Sequence, residues 1–251
     1  MRCEMNNKQV LLCATLLLLS AVITNAAAQE PEGPAAAGNR VRSNSEDSES
    51  NASCISVASF ETPEDLYQRG LGLIDENPGR ARIVLARAGE LGHAESLYEL
   101  GQMFYYGEGG ERDFARARAY FTRAGELGHA ESLCRLGGMY CNGEGVDPDP
   151  FEALNHFWQA SQRGHLEATN QVAQILYHGR AGYRNLEGAR VYAQAAAERD
   201  HTGAQALLSA MLYNGEGGGV DLAGATFYAR AAAAKGSDDA IGFLVMLESE
   251  E

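Results

Sequence analysis

Lysine is almost missing from this chain: Lys8 and Lys235 are the only two in 251 residues. Basic residues number 20 against 34 acidic ones, for a formal net charge of −14. Neutralising phosphates needs clustered Lys and Arg. No such cluster stands out along the sequence, which argues against nucleic acid as a partner. The same scarcity removes familiar catalytic signatures. No serine is followed three places on by lysine, as a Ser-x-x-Lys nucleophile requires. The glycines of Gly107-Glu108-Gly109-Gly110 run into Glu111-Arg112, not into the Gly-Lys-Ser/Thr of a phosphate loop. No His-Glu-x-x-His and no Cys-x-x-Cys pair exists, so the usual zinc spacings are absent. Proline is also low, at 6, whereas glycine reaches 29.

Long apolar runs are missing too, with one exception. Val10 to Ile23 is almost wholly apolar over 14 residues, after a weakly basic start at Arg2 and Lys8. That length is short for a bilayer span but suits a signal-peptide core. Ala26-Ala27-Ala28 supplies small residues for cleavage ahead of Gln29. Residues 1–28 are therefore expected to be a signal peptide, and the chain to be exported, periplasmic or secreted, with no membrane span once the signal is removed. Residues 29–59 are rich in Ser, Ala, Gly, Pro and acid, with little to bury, and are expected to form a disordered tether. Asn51-Ala52-Ser53 within them is a glycosylation sequon.

What the chain does have is a period. His93, His129, His165 and His201 lie 36 residues apart, and Ser237 takes the next place. Blocks 93–128, 129–164, 165–200 and 201–236 align without a gap. Gly107, Gly143, Gly179 and Gly215 are identical, as are Ala117, Ala153, Ala189 and Ala225, and Ala124, Ala160, Ala196 and Ala232. A fixed step in this range marks stacked helical repeats.

Each column has a physical reading. Leu136, Met139 and Tyr140 follow one helical face. Gly101, Gly137, Ala173 and Ser209 sit inside that first helix, where a glycine costs about 1 kcal/mol of helix propensity. Close packing of a neighbouring helix is expected to offset it. The glycines at 107, 143, 179 and 215 suit left-handed C-terminal caps. Asp113, Asp149, Asn185 and Asp221 stand where a second helix needs an N-cap. In Asp149-Pro150-Phe151-Glu152 the glutamate is placed to close a capping box. The two alanine columns, seven apart, share one face of the second helix.

The ends complete the count. Residues 60–92 read as a degenerate first repeat that keeps Ala81 and Ala88 in the alanine columns, with a shortened turn at 75–79. Residues 237–249 begin another block and stop after one helix, a closing cap for the last full repeat. The expected fold is an all-α, α/α superhelical solenoid of 36-residue helix–turn–helix repeats.

The phrase Leu136-Gly137-Gly138-Met139-Tyr140-Cys141-Asn142-Gly143-Glu144-Gly145, followed by Ala153, Phe157-Trp158, Ala160 and Gly164, resembles the Sel-1-like repeat family, of the exported bacterial type. Leu100-Gly101-Gln102-Met103-Phe104-Tyr105-Tyr106-Gly107-Glu108-Gly109 repeats it. The family is related to tetratricopeptide repeats, and the likeness covers residues 60–249. It is specific for fold and poorly specific for function; the residues themselves leave a scaffold that binds a protein or peptide partner, with no cofactor and no metal. Exported relatives often staple one repeat to the next through cysteines. This sequence places Gly89 and Leu97, or Gly125 and Leu133, where such a pair would stand. Cys134 and Cys141, about 10 Å apart along one helix, are out of disulfide reach and read as packing residues.

Family members have been assigned β-lactamase activity, but the serines at 20, 96, 132, 161 and 209 lead to Ile23, Glu99, Arg135, Gly164 and Leu212, never to lysine. The four aligned histidines cannot share one metal ion, since equivalent positions in stacked repeats lie about 10 Å apart. The reading is a binding protein, not an enzyme. The competing reading is a cell-wall or polysaccharide binding module, or a residual hydrolase on such a substrate, with tyrosines stacking on sugar rings.

A binding surface follows from the helical wheel. Leu100, Gly101, Met103 and Phe104 cluster on one side of the first helix. The opposite side carries Glu99, Gln102 and Tyr106, then Arg135, Gly138 and Asn142, then Gln171, Gln174 and His178, and finally Asn214. The resemblance implies that first helices line the concave groove, so these side chains are the candidate partner-binding set. Their mixture of amide, aromatic and charged groups suits an extended peptide or a partner helix.

Overall fold

The computed structural model describes residues 61–249, all within one compact unit, Ser56–Glu251. The expected signal peptide, the whole of the tether, the Asn51 sequon and Cys54 lie outside the described residues. Among the described residues there are eleven α-helices and no strand.

They come in pairs. α1 (Pro63–Leu73) and α2 (Pro78–Glu90) form the degenerate repeat. α3 (Ala94–Tyr106) with α4 (Phe114–Glu126), and α5 (Ala130–Asn142) with α6 (Pro150–Gln162), form the next two. α7 (Leu166–His178) with α8 (Leu186–Glu198), and α9 (Thr202–Asn214) with α10 (Leu222–Ala234), follow, and α11 (Asp238–Ser249) closes the series. Each helix packs on the one before and the one after it, so the first helices make one layer and the second helices another. α9 also touches α7 and α11 directly, and no two second helices meet to the same extent. α11 lies against both α9 and α10, as a terminal cap should.

The turn between paired helices shows why the columns are kept. Gly107, Gly143, Gly179 and Gly215 each end a first helix in the left-handed region, with φ from 69° to 83°. The N-cap side chains of Asp113, Asp149, Asn185 and Asp221 then accept from backbone N–H groups opening the second helix. Their own backbone N–H groups donate back to Phe104, Tyr140, Leu176 and Leu212 carbonyls at 2.8–2.9 Å. This last bond corrects one expectation. The Asp149 N–H is already taken by Tyr140, so Glu152 returns no bond and the capping box does not close. The described capping box is at Thr62 and Asp65 instead.

Between repeats the chain turns through Gly92, Gly128, Gly164 and Gly236 at positive φ. In the same place Asp200 adopts φ 70°, the one non-glycine residue to do so among the described residues. Its carboxylate pairs with Lys235 and accepts from Gln205 Nε2 at 3.0 Å, contacts that offset the strain of a left-handed aspartate.

The packing reason for the intrahelical glycines is specific. A Cβ at Gly101 would lie 2.6 Å from the Phe121 ring, and one at Gly137 would lie 2.7 Å from Phe157. Where the small column enlarges to Ala173 and Ser209, the facing residues shrink to Ala193 and Ala229, all fully buried or nearly so. Bulk lost on one helix is returned on its partner. The alanine columns of the second helices are also buried, from Ala81 and Ala88 through Ala225 and Ala232.

Gly89 and Leu97 face each other, as do Gly125 and Leu133. A Cβ at Gly89 would lie 2.4 Å from Leu97, and one at Gly125 would lie 2.7 Å from Leu133. One repeat further on, Ser161 Oγ and Thr169 Oγ1 share a hydrogen bond at 2.9 Å. Leucine knobs fill the first two of these contacts and a hydroxyl pair the third.

Candidate functional site

The aligned histidines are helix caps. Nδ1 of His93, His129, His165 and His201 accepts the backbone N–H of Ser96, Ser132, Ala168 and Ala204 at 3.1–3.2 Å. That bond fixes the proton on Nε2, which donates backward to the preceding repeat: His93 to Glu64 (3.1 Å), His165 to Glu131 (2.6 Å) and His201 to Glu167 (2.7 Å). His129 faces the equivalent Glu95 through its field alone. A ladder of His–Glu clasps thus runs along the first-helix layer. Among the described residues no three His, Cys, Asp or Glu side chains gather to hold a metal ion.

Burial pushes the His129 and His156 imidazoles below the usual histidine range, against the opposing fields of Glu95 and Glu131 for the first and Glu152 for the second. A depressed folded value means the neutral ring is the stable form. The contribution is complete above about pH 6.5, the unfolded value, and is lost as pH falls through the lower folded one. The urea midpoint is therefore expected to drop between pH 7 and pH 5, before carboxylates titrate. The double change His129→Asn, His156→Phe should flatten that slope, and an unaltered slope would refute the assignment.

The candidate side chains differ in exposure. Tyr106, Asn142, His178 and Asn214 are exposed at the C-terminal ends of the first helices, with Tyr106 57% exposed. Glu99, Gln102, Arg135, Gln171 and Gln174 are partly buried beside them. Several are knitted into the surface. Gln102 Nε2 donates to Tyr98 OH at 2.8 Å, Gln171 Nε2 donates to Glu167 at 2.6 Å, and Arg135 pairs with Glu131 at 3.3 Å. Glu99 has no cation beside it among the described residues. Burial, then the Glu108 charge, hold its carboxyl above the ordinary range. Gln102 Oε1 is buried with no donor.

A second tyrosine column supports this face. Tyr105 and Tyr177 donate to Glu144 and Glu216 of the following repeats, each at 2.8 Å. Burial, reinforced by Glu144, pushes the Tyr105 phenol up to about 12. Where Cys141 replaces the tyrosine, Arg180 replaces the glutamate. Cys134 and Cys141 are both free. Burial pushes the Cys134 thiol up to about 12 and raises that of Cys141, so neither is poised as a nucleophile.

The outward side of the second helices holds what the wheel of the first helices could not reveal. Ile83, Phe151, Trp158, Val191 and Phe227 are 46–71% exposed there. Ile83, Val191 and Phe227 share one column, which Asn155 interrupts, whereas Phe151 and Trp158 recur in no other block. Among the described residues no helix is long and apolar enough to cross a membrane.

Comparison with known proteins gives the repeats a family. The Sel1 repeat profile matches residues 56–93, 94–129, 130–165, 166–201 and 202–237. No curated protein matches. Among solved structures, a Sel1 repeat protein from Oxalobacter formigenes is 22% identical, with a TM-score of 0.69, over 75% of this chain and 80% of that one. A protective antigen of uropathogenic Escherichia coli displaying an SLR fold is 23% identical, with a TM-score of 0.68, over 71% of this chain. The match spans 39% of the Escherichia coli antigen's length. Both likenesses concern the fold. With five consecutive matches in step with the histidine caps and glycine turns, the chain belongs to the Sel1 repeat family.

Proposed function

We propose that this protein is an exported, non-catalytic scaffold that holds a segment of a partner protein against its first-helix layer. The observation that carries the reading is unmet bonding capacity on that face. Glu99 keeps a partly buried carboxylate without a cation, and Gln102 keeps a buried carbonyl without a donor. A buried acceptor left unpaired is costly, and a partner's N–H groups would relieve it. Exposed Tyr106 supplies an adjacent aromatic contact of the type enriched at interfaces.

The combined change of Tyr106, Asn142, His178 and Asn214 to alanine is expected to abolish retention of a protein partner from native envelope or culture supernatant. Helical circular dichroism should be unchanged, because all four residues are exposed. If that variant retains the partner, and changes at Phe151, Trp158 and Phe227 release it, the first-helix layer is not the site. Retention of a polysaccharide in place of a protein would favour the carbohydrate-binding reading.

Export rests on the 14-residue apolar run and Ala26-Ala27-Ala28. The intact mass of the exported protein should begin close to Gln29; a mass that includes residues 1–28 would overturn cleavage.

A further inference from the structure

The second-helix layer gathers positive charge on a chain whose formal net charge is −14. No basic cluster is expected from reading along the sequence, and here the fold corrects that expectation. α2 carries Arg80, Arg82 and Arg87, and α4 carries Arg116, Arg118 and Arg123 at the matching places one repeat later. Glu90 and Glu126 oppose them within these two helices; Glu90 pairs with Arg87 at 3.1 Å, and the N-cap Asp113 pairs with Arg116 at 3.2 Å. Arg80, Arg87, Arg116 and Arg123 are exposed, and Arg80 and Arg123 have no ion pair among the described residues.

Between α2 and α4, over α3, lies a cleft of about 430 Å³. Its floor is Leu100 and Phe104, and Tyr120 stacks on Phe104 with ring centroids 5.4 Å apart. Ile83, on its rim, is 71% exposed. The guanidiniums of Arg82 and Arg116 converge on the Phe104 ring, at 4.1 and 5.5 Å from its centroid. Arg82 donates to the Met103 carbonyl at 2.9 Å, yet its Nε–H is buried without an acceptor. The next repeat echoes the arrangement: Tyr140 stacks on His156 at 5.3 Å, Arg118 reaches Tyr140 OH, and His156 Nδ1 is buried without a partner.

An apolar floor asks for an apolar side chain, and an arginine rim asks for carboxylates around it. We propose that this cleft is a second interaction surface, which takes an acidic segment of a partner protein anchored by one apolar side chain against Ile83 and Tyr120. The inference does not depend on the first-helix reading, because none of the residues of that candidate face lines the cleft. A uniform polyanion fits less well, since it brings no apolar anchor and meets the repulsion of an acidic protein.

The test uses the full chain and a fluorescein-labelled peptide with a central phenylalanine flanked on each side by a run of glutamates. Fluorescence anisotropy should show binding that weakens with salt. The pair Arg87→Glu, Arg123→Glu should weaken it at least about tenfold, as should serine in place of the peptide's phenylalanine. Arg230→Glu on α10, and the four-alanine variant of the first-helix layer, should leave it unchanged. No binding, or equal losses in Arg230→Glu and the paired variant, would overturn the proposal. So would heparin binding at the same arginines more tightly than the peptide does, which would mark a polyanion site.

Discussion

Phe121→Ala is expected to lower the unfolding free energy by about 3–5 kcal/mol, the range for truncating a fully buried phenylalanine. Phe121 is 0% exposed and fills the space left by Gly101, the first helix having no side chain there. Gly101→Ser alone should also destabilise, by about 1–3 kcal/mol, because its Cβ would fall within 2.7 Å of two ring carbons. The informative variant is the double one, which installs the Ser209 and Ala229 pairing of the last full repeat. If bulk is conserved across the helix pair, the double change should cost less than the sum of the singles by about 0.5–3 kcal/mol. Urea denaturation followed by circular dichroism measures all three. Simple additivity would mean that the facing columns do not compensate.

Gly217→Val should be nearly as damaging, at about 2–5 kcal/mol, by a different route. Gly217 has φ 70°, and a Cβ there would lie 2.2 Å from the Leu186 carbonyl oxygen at the start of α8. That obstacle is backbone of the preceding repeat and cannot rotate away. Gly109 and Gly145 meet Pro78 and Phe114 in the same way. Repeat 165–200 shows what substitution requires: Ala181 stands in this column, and Gly182 takes the positive φ one residue later. Since coupling in a solenoid is between neighbours, Gly217→Val should also let α9–α11 melt ahead of the rest. A melting curve like the parent's would show that the turn is free to move.

The repeat was legible because its constraints are local and recur at one interval. A left-handed glycine, an N-cap aspartate and a buried alanine each admit few residue types, so the columns stay visible at 36-residue spacing. The histidines were visible too, but not their task, since accepting from the third residue ahead while donating to the previous repeat needs the stacked geometry. Arg80, Arg82, Arg87, Arg116, Arg118 and Arg123 follow the same interval, yet they become a patch only once α2 and α4 stand on either side of Phe104. Phe151 and Trp158 repeat nothing, and only their exposure singles them out; Phe227 shares a 36-residue column with Ile83 and Val191. Glu152 has the spacing of a capping box, but a longer-range backbone bond to Tyr140 takes its partner.

The His–Glu ladder gives the molecule a direction. Its last clasp is His201 on Glu167; at the next step Gly203 stands in the glutamate column and Ser237 in the histidine column. Ser237 Oγ still caps Ala240 N–H at 3.4 Å, but it cannot reach back. Drawn from its C-terminal side, the protein would first shed α11, which bears no such clasp, and would then meet those of His201 and His165, each release parting the helix that bears the histidine from the preceding repeat. Drawn from the other side, the same load falls at once on Glu64 and His93. The two ends of one solenoid are therefore mechanically unequal, a frayed edge facing a hooked one.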